Sequence, residues 1–291
     1  MSSSEEQKNV DTHFAFGKNW ASYAEGIGEA QVTEAMTALR RLSGLDDLAG
    51  KRFLDIGCGS GVHSLAAIRL GASEVVAVDI DKDSVATTTA VLGKFAPDGR
   101  YRVIESSVFN LSPDTLGQFD VVYSWGVLHH TGAMVEALEK AAKMVAPRGL
   151  FLVALYRRTY LCGFWTVEKK WYTSASPRLQ RFAQGMYVGW YRLLSAIVVL
   201  VSRGRQESFQ SRVANYRYQR GMDFYHDVHD WLGGYPYESI LPDETDDLMR
   251  QAGLKNEATF LCRSNRKKAH GLLGSGCDEY RYVRVLAPET R

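Results

Sequence analysis

The sequence predicts an α/β fold: a seven-stranded, mainly parallel sheet with an antiparallel last strand, plus a helical insertion. Three observations predict it. Short runs of apolar and β-branched residues alternate with helical stretches from about residue 50 to residue 155. The first of these runs passes through a glycine-rich turn into a helix. The alternation stops after Tyr156, and two strand-like runs return near the end of the chain. Strands separated by whole helices pair in parallel through right-handed crossovers, and ligands then bind beyond the carboxyl ends of the strands.

The elements follow in order. His13 to Leu42 is helical, with aromatic residues near its start and Val32, Met36, Leu39 and Leu42 on one face; Gly44 closes it. Lys51–Ile56 is a buried strand, Val62–Leu70 a helix, and Glu74–Asp79 a second strand. Ser84–Lys94 is helical, with a turn at 97–99. Tyr101–Glu105 and Phe119–Ser124 are the third and fourth strands. Met134–Val145 is a helix and Leu150–Leu155 the fifth strand. Residues 157–236, rich in Trp, Tyr and Arg, read as a mostly helical insertion. Thr245–Ala252 is a helix stopped by Gly253. Lys255–Cys262 and Glu279–Leu286 read as an antiparallel pair closing the sheet.

Composition narrows the function. Of 291 residues 45% are apolar and 23% charged, ordinary globular usage, and a net charge of +2 gives no electrostatic case at whole-chain level for nucleic acid or an anionic membrane. The four cysteines have neither CxxC nor zinc spacing, so no metal is expected and free thiols are. The polar start, MSSSEEQKNVDTH, has no apolar signal core, which gives a cytoplasmic expectation. Residues 186–202 are apolar but interrupted by Arg192, and the uninterrupted part is about half the ~20 residues a spanning helix needs. That leaves a buried helix, a substrate lid or a peripheral membrane contact.

The sharpest signal is FLDIGCGSG at 53–61. Glycines after a strand permit a tight turn and close backbone approach to a ligand. The spacing is GxGxG rather than GxGxxG, and Asp55 stands where a diphosphate would approach. A carboxylate there repels phosphate and accepts hydrogen bonds from an ammonium group. Asp79, ending the second strand, is placed to take a ribose diol. A nucleoside joined to an amino acid is S-adenosyl-L-methionine (SAM).

These residues, with VVAVDID at 75–81 and FDVVYSWGVLHHTG at 119–132, resemble the three ordered motifs of class I SAM-dependent methyltransferases, which have a Rossmann-like fold. FGKNW (16–20), RGMDFYHDVHDWLGGYPYE (220–238) and GLLGSGCDEYRYVRV (271–285) extend the likeness to a bacterial subgroup loosely described as ubiquinone-biosynthesis-like methylases. The resemblance implies SAM as methyl donor and S-adenosyl-L-homocysteine (SAH) as product. It implies that Asp55, Gly57, Gly59 and Gly61 surround the methionine part and that Asp79 holds the ribose. Ile80 then packs on the adenine and Ser107 and Val108 edge it, although many relatives carry an acid where Ser107 stands. Trp125 meets the methionine part by its backbone, and Trp20 and Tyr23 fold over the cofactor.

Acceptor chemistry needs a base and an aligning wall. His129 and His130, after the fourth strand, are one candidate pair. His226 and His229, which a helix would set beside Asp230, are another. Tyr156 and Arg157 end the fifth strand toward the cleft, and Tyr235 and Tyr237 lie in a Gly/Pro loop suited to substrate contact. The expected organisation is an N-terminal segment (1–45) over the cofactor, a SAM-binding core (46–156), a substrate lid (157–238) and a return to the sheet (239–291). The expected partner is a small-molecule acceptor methylated at oxygen, less readily at nitrogen. A membrane-held quinone or lipid-like acceptor, and tRNA or protein, are the alternatives.

Overall fold

The computed structural model describes residues 17–24, 26–201, 208–220, 224–262 and 276–285, without the side chains of 18, 19, 21, 22, 217–220 and 226. Seven strands form one sheet: β1 Arg52–Ile56, β2 Glu74–Asp79, β3 Tyr101–Glu105, β4 Phe119–Trp125, β5 Val145–Tyr156, β6 Leu254–Phe260 and β7 Cys277–Arg284, in the order β3-β2-β1-β4-β5-β7-β6. The first five run parallel, and β7 pairs antiparallel with both β5 and β6. The parallel seven-stranded plan with its antiparallel closure is the one the sequence predicts. Central strands such as Val75–Val78 are buried on both faces, which explains their unbroken apolar runs.

One face of the sheet is covered by α2 (Glu29–Ser43), α3 (Val62–Arg69) and α4 (Lys82–Phe95), with Leu39, Leu65 and Leu92 packing toward Phe53, Val75 and Val121. The other face is covered by α6 (Met134–Lys143) and α11 (Pro242–Gln251), which bury Leu138, Ala141 and Met249 against Val122 and Phe151. A single turn of helix, α5 (Pro113–Leu116), precedes β4.

The N-terminal helical stretch differs from expectation. It is two helices, α1 (Gly17–Ala24) and α2, with Gly26 and Gly28 in the break. Glycine is costly inside a helix, so the chain turns there, and α1 is free to take its own direction. Residues 13–16 lie outside the described residues. After β5 the insertion forms α7 (Cys162–Ser174), α8 (Pro177–Val201), α9 (Phe209–Arg220) and α10 (Phe224–Gly233). These helices build a core of their own around Tyr172, Phe224, Val228 and Leu232.

Candidate functional site

A cavity of about 1910 Å³ opens at the carboxyl ends of the parallel strands and extends into the insertion. Its floor is the loop after β1. Gly57, Gly59 and Gly61 have φ of 78°, 52° and 77°, a region closed to most side chains. The Gly57 and Cys58 amides both donate to the Val78 carbonyl, at 2.7 and 3.1 Å, pinning the loop to β2. A Cβ at Gly57 would run into the Val127 side chain. At Gly59 it would press on the Trp20 indole, 3.2 Å away. Gly61 departs from its expected role. It lies off the cavity wall, caps α3 and lets Thr88 approach closely.

Two carboxylates face the loop from adjacent strands. Asp55 is buried and accepts a 2.6 Å hydrogen bond from the Ser64 hydroxyl. Burial, reinforced by the nearby charge of Asp79, raises its pKa from 3.8 to about 7. Asp79 accepts from the Gly59 and Asp81 amides, both at 3.0 Å, one on each oxygen. A carboxylate has about four lone-pair directions, so both oxygens retain capacity toward the cavity.

Asp81 caps α4 through the amides of Asp83 and Ser84 and also accepts from the Gly17 amide at 3.1 Å. One side chain therefore anchors α1 beside the loop. Trp20 and Tyr23 of α1 meet edge to face at 5.8 Å and both line the cavity. Ile80, half-exposed, lies on the wall with Ser107 and Val108. The Ser107 hydroxyl caps the short turn 108–110 by accepting from the Phe109 amide at 3.4 Å. Its side chain is thus engaged locally.

Trp125 lies on the wall, and its indole N–H donates to Glu279 at 2.8 Å. Glu279 in turn pairs with Arg41 at 2.7 Å. Glu279 and Arg41 line the cavity and were not anticipated, because their partners are 154 and 238 residues away in the chain. His63 and Tyr123, in ring contact at 5.0 Å, are a second unanticipated part of the wall. The only hint in the sequence was their position: one in the first turn after the glycine loop, the other on β4 next to Asp55.

At the insertion end the two candidate histidines separate. His130 lines the cavity, and its Nδ1 lies 2.7 Å from the Pro236 carbonyl. A carbonyl only accepts, so Nδ1 is the donor, and Nε2 is the nitrogen that can accept a proton when the ring is neutral. His129 is turned away from the cavity and fully buried. Its Nδ1 accepts the Tyr156 amide at 3.2 Å, and burial holds its pKa well below the usual range. A neutral imidazole committed to a backbone amide is a structural group, and the expectation for His129 is corrected accordingly.

Tyr156 lines the cavity, whereas Arg157 points the opposite way, buried 3.4 Å from Asp278. Arg157 continues the extended chain one residue past β5, bridging to Ile240, and the alternation of side chains along it explains the split. Asp230 and Tyr235 line the cavity. Tyr237 does not: its ring packs on Tyr156 at 5.4 Å and its hydroxyl meets Cys162 at 3.3 Å. His229 is likewise off the wall, held at Nδ1 by the Tyr172 hydroxyl at 2.7 Å within the insertion core. The His226 side chain lies outside the described residues. Among the described residues no group of three His, Cys, Asp or Glu is placed to hold a metal ion.

Comparison with known proteins agrees with this geometry. Residues 47–182 match the family model of a methyltransferase domain. A ubiquinone biosynthesis O-methyltransferase of Caulobacter sp. is 35% identical over 117 residues, covering 40% of this chain and 45% of that protein. A tRNA U34 carboxymethyltransferase of Methylococcus capsulatus is 35% identical over 111 residues, covering 38% of this chain and 34% of that protein. The chain thus spans less than half the length of these two relatives. The crystal structure of magnesium protoporphyrin IX methyltransferase from Synechocystis with bound SAH superposes with a TM-score of 0.53 at 13% identity, covering 94% of this chain and 97% of that one. That likeness is one of fold. Taken together, these findings show a methyltransferase domain over residues 47–182, in a fold shared with a SAH-bound methyltransferase.

Proposed function

We propose that this chain transfers the methyl group of SAM to a hydroxyl oxygen of a small-molecule acceptor. The observation that carries the reading is the pair Asp55 and Asp79 on adjacent strand ends around the glycine loop. A buried carboxylate there suits an ammonium group, and one with lone pairs to spare suits a ribose diol. Both acids oppose a diphosphate. Ile80 and Val108 offer an apolar edge to the adenine, and Trp20 closes over Gly59.

SAM supplies a methyl group on a cationic sulfur, whose departure leaves a neutral thioether. The protein's share is alignment and proton removal. His130 is oriented by Pro236 through Nδ1, and its neutral form accepts a proton at Nε2. It takes the acceptor's hydroxyl proton as the oxygen–carbon bond forms and the carbon–sulfur bond breaks, giving SAH and a methyl ether. Tyr156, Asp230 and Tyr235 line the acceptor end. The cavity is roughly twice the upper bound of the ~300–1,000 Å³ typical of single-ligand pockets, so a donor and a sizeable acceptor fit together. Its aromatic wall, with Tyr187, Tyr191 and Trp231, favours a planar ring.

The test is turnover of methyl-labelled SAM with a panel of phenolic acceptors, read by SAH release and by the mass of the acceptor. At least one acceptor should gain a methyl ether. Label appearing only on nitrogen, or only on tRNA, overturns the acceptor class.

A further inference from the structure

Helix α8 carries two apolar stripes, and the fold uses one of them. On its covered face, Ala183, Tyr187, Val188 and Tyr191 pack onto the insertion core, and Tyr187 and Tyr191 also wall the cavity. On its other face Leu179, Phe182, Met186, Trp190, Leu193 and Ile197 follow one another at intervals of three or four residues, each between 47% and 66% exposed. At ~1.5 Å per residue the helix is roughly 37 Å long, and this stripe occupies most of it. The preceding helix α7, with its N-cap Leu161, repeats the pattern through Phe164, Val167 and Trp171, all exposed. Isolated exposed apolar residues are ordinary. A periodic run along two consecutive helices is a binding surface.

The charge around the stripes indicates what covers them. Between 160 and 201 there are five basic residues and one acid, Glu168. Lys170, Arg178, Arg181 and Arg192 are exposed, whereas Glu168 is half-buried. Exposed apolar side chains, tryptophans among them, bordered by cations and, between 160 and 201, by no exposed acid, match the interface of an anionic bilayer.

Composition and length alone would allow α8 to span a membrane. Two of its polar residues argue against that. Gln184 is held by Tyr172 and His229, and Arg192 lies in the middle of the apolar run, where hydrocarbon would strand its charge. The helix is built to lie in the plane of the interface, protein on one side and lipid on the other. We propose that α7 and α8 dock this protein on the surface of anionic membranes, with the cavity wall formed by Tyr187 and Tyr191 directly behind the docking face. The proposal stands independently of methyl transfer.

Vesicle flotation of the full chain tests it, using phosphatidylglycerol-containing and pure phosphatidylcholine vesicles at low and high salt. The wild-type protein should float with the anionic vesicles, and less so as salt rises. The triple variant Trp190→Ser/Leu193→Ser/Ile197→Ser, checked for an unchanged thermal unfolding profile, should bind them roughly tenfold or more weakly. Arg178→Glu/Arg181→Glu should lose the preference for anionic lipid. Wild-type protein that ignores anionic vesicles overturns the proposal, as does binding that survives the triple variant. A dimer by light scattering that the triple variant disperses, without vesicle binding, assigns the face to a second copy of the chain instead.

Discussion

Replacing Asp55 by Asn isolates the work of the buried carboxylate. Asp55 is 2% exposed, and burial, with a contribution from Asp79, raises its pKa from 3.8 to about 7 despite the hydrogen bond from Ser64. An acid whose pKa is raised by folding binds its proton more tightly in the folded state. Its contribution to stability is complete below pH 3.8 and is lost as pH rises to about 7. Three pH units at roughly 1.4 kcal/mol each give a loss of about 4 kcal/mol, of which roughly 3 kcal/mol falls between pH 5 and pH 8. Asparagine carries no charge, and its amide oxygen can still accept the Ser64 hydroxyl. Ligand-free Asp55→Asn should therefore outlast the wild type in heat at pH 8, and its advantage should shrink by about 3 kcal/mol at pH 5. In a chain of this size that is a change of roughly 6–12 °C in the Tm difference. Scanning calorimetry of both proteins at the two pH values reads it directly. The same variant should bind SAM more weakly, because an amide offers no counter-charge to the ammonium group. A stability gap that does not widen with pH, or unimpaired SAM binding, refutes the assignment.

Other positions give sharper separations. Gly57→Ala forces a Cβ into Val127 at a φ of 78°, so it should cost about 2–4 kcal/mol in denaturant unfolding and abolish SAM binding. His130→Ala should lower kcat by roughly 10²–10⁴ while leaving SAH affinity intact. His129→Ala should instead lower stability by ~1–3 kcal/mol, because the Tyr156 amide loses its acceptor. Equal effects on turnover would contradict the separation of the pair. Arg157→Ala strands the buried Asp278 carboxylate and should cost about 3–5 kcal/mol by urea denaturation, and Arg157→Ala/Asp278→Ala should recover part of it.

The sheet was legible because buried parallel strands write themselves as unbroken apolar runs, as in Val75–Val78, and because helices between them end at glycines such as Gly71 and Gly253. The loop was legible because backbone conformation and charge are both local there: the glycines after β1, with Asp55 and Asp79 at their strand ends. Side-chain direction was harder. Tyr156 and Arg157 are consecutive in extended chain at the end of β5, so only one can face the cavity, and the two-residue period could have foretold that split without saying which one. His129 and His130 sit on one short turn, and the sequence holds no sign of which face the cavity takes. Glu279 was illegible for another reason. It reaches the site through Arg41 and Trp125, from a strand that joins the sheet last. The exposed stripe of α8 was hidden by its own composition, since an apolar run reads the same whether protein or something else covers it.

The central claim is that the loop at 57–61, with Asp55 and Asp79, forms a site for a nucleoside joined to an amino acid. Calorimetric titration of SAH into the wild-type protein and into Asp79→Ala tests it most directly, with NAD as the competing nucleotide. The geometry predicts saturable SAH binding to the wild type, affinity reduced roughly tenfold or more in Asp79→Ala, and no heat from NAD. NAD binding in place of SAH, or SAH affinity indifferent to Asp79, would contradict it.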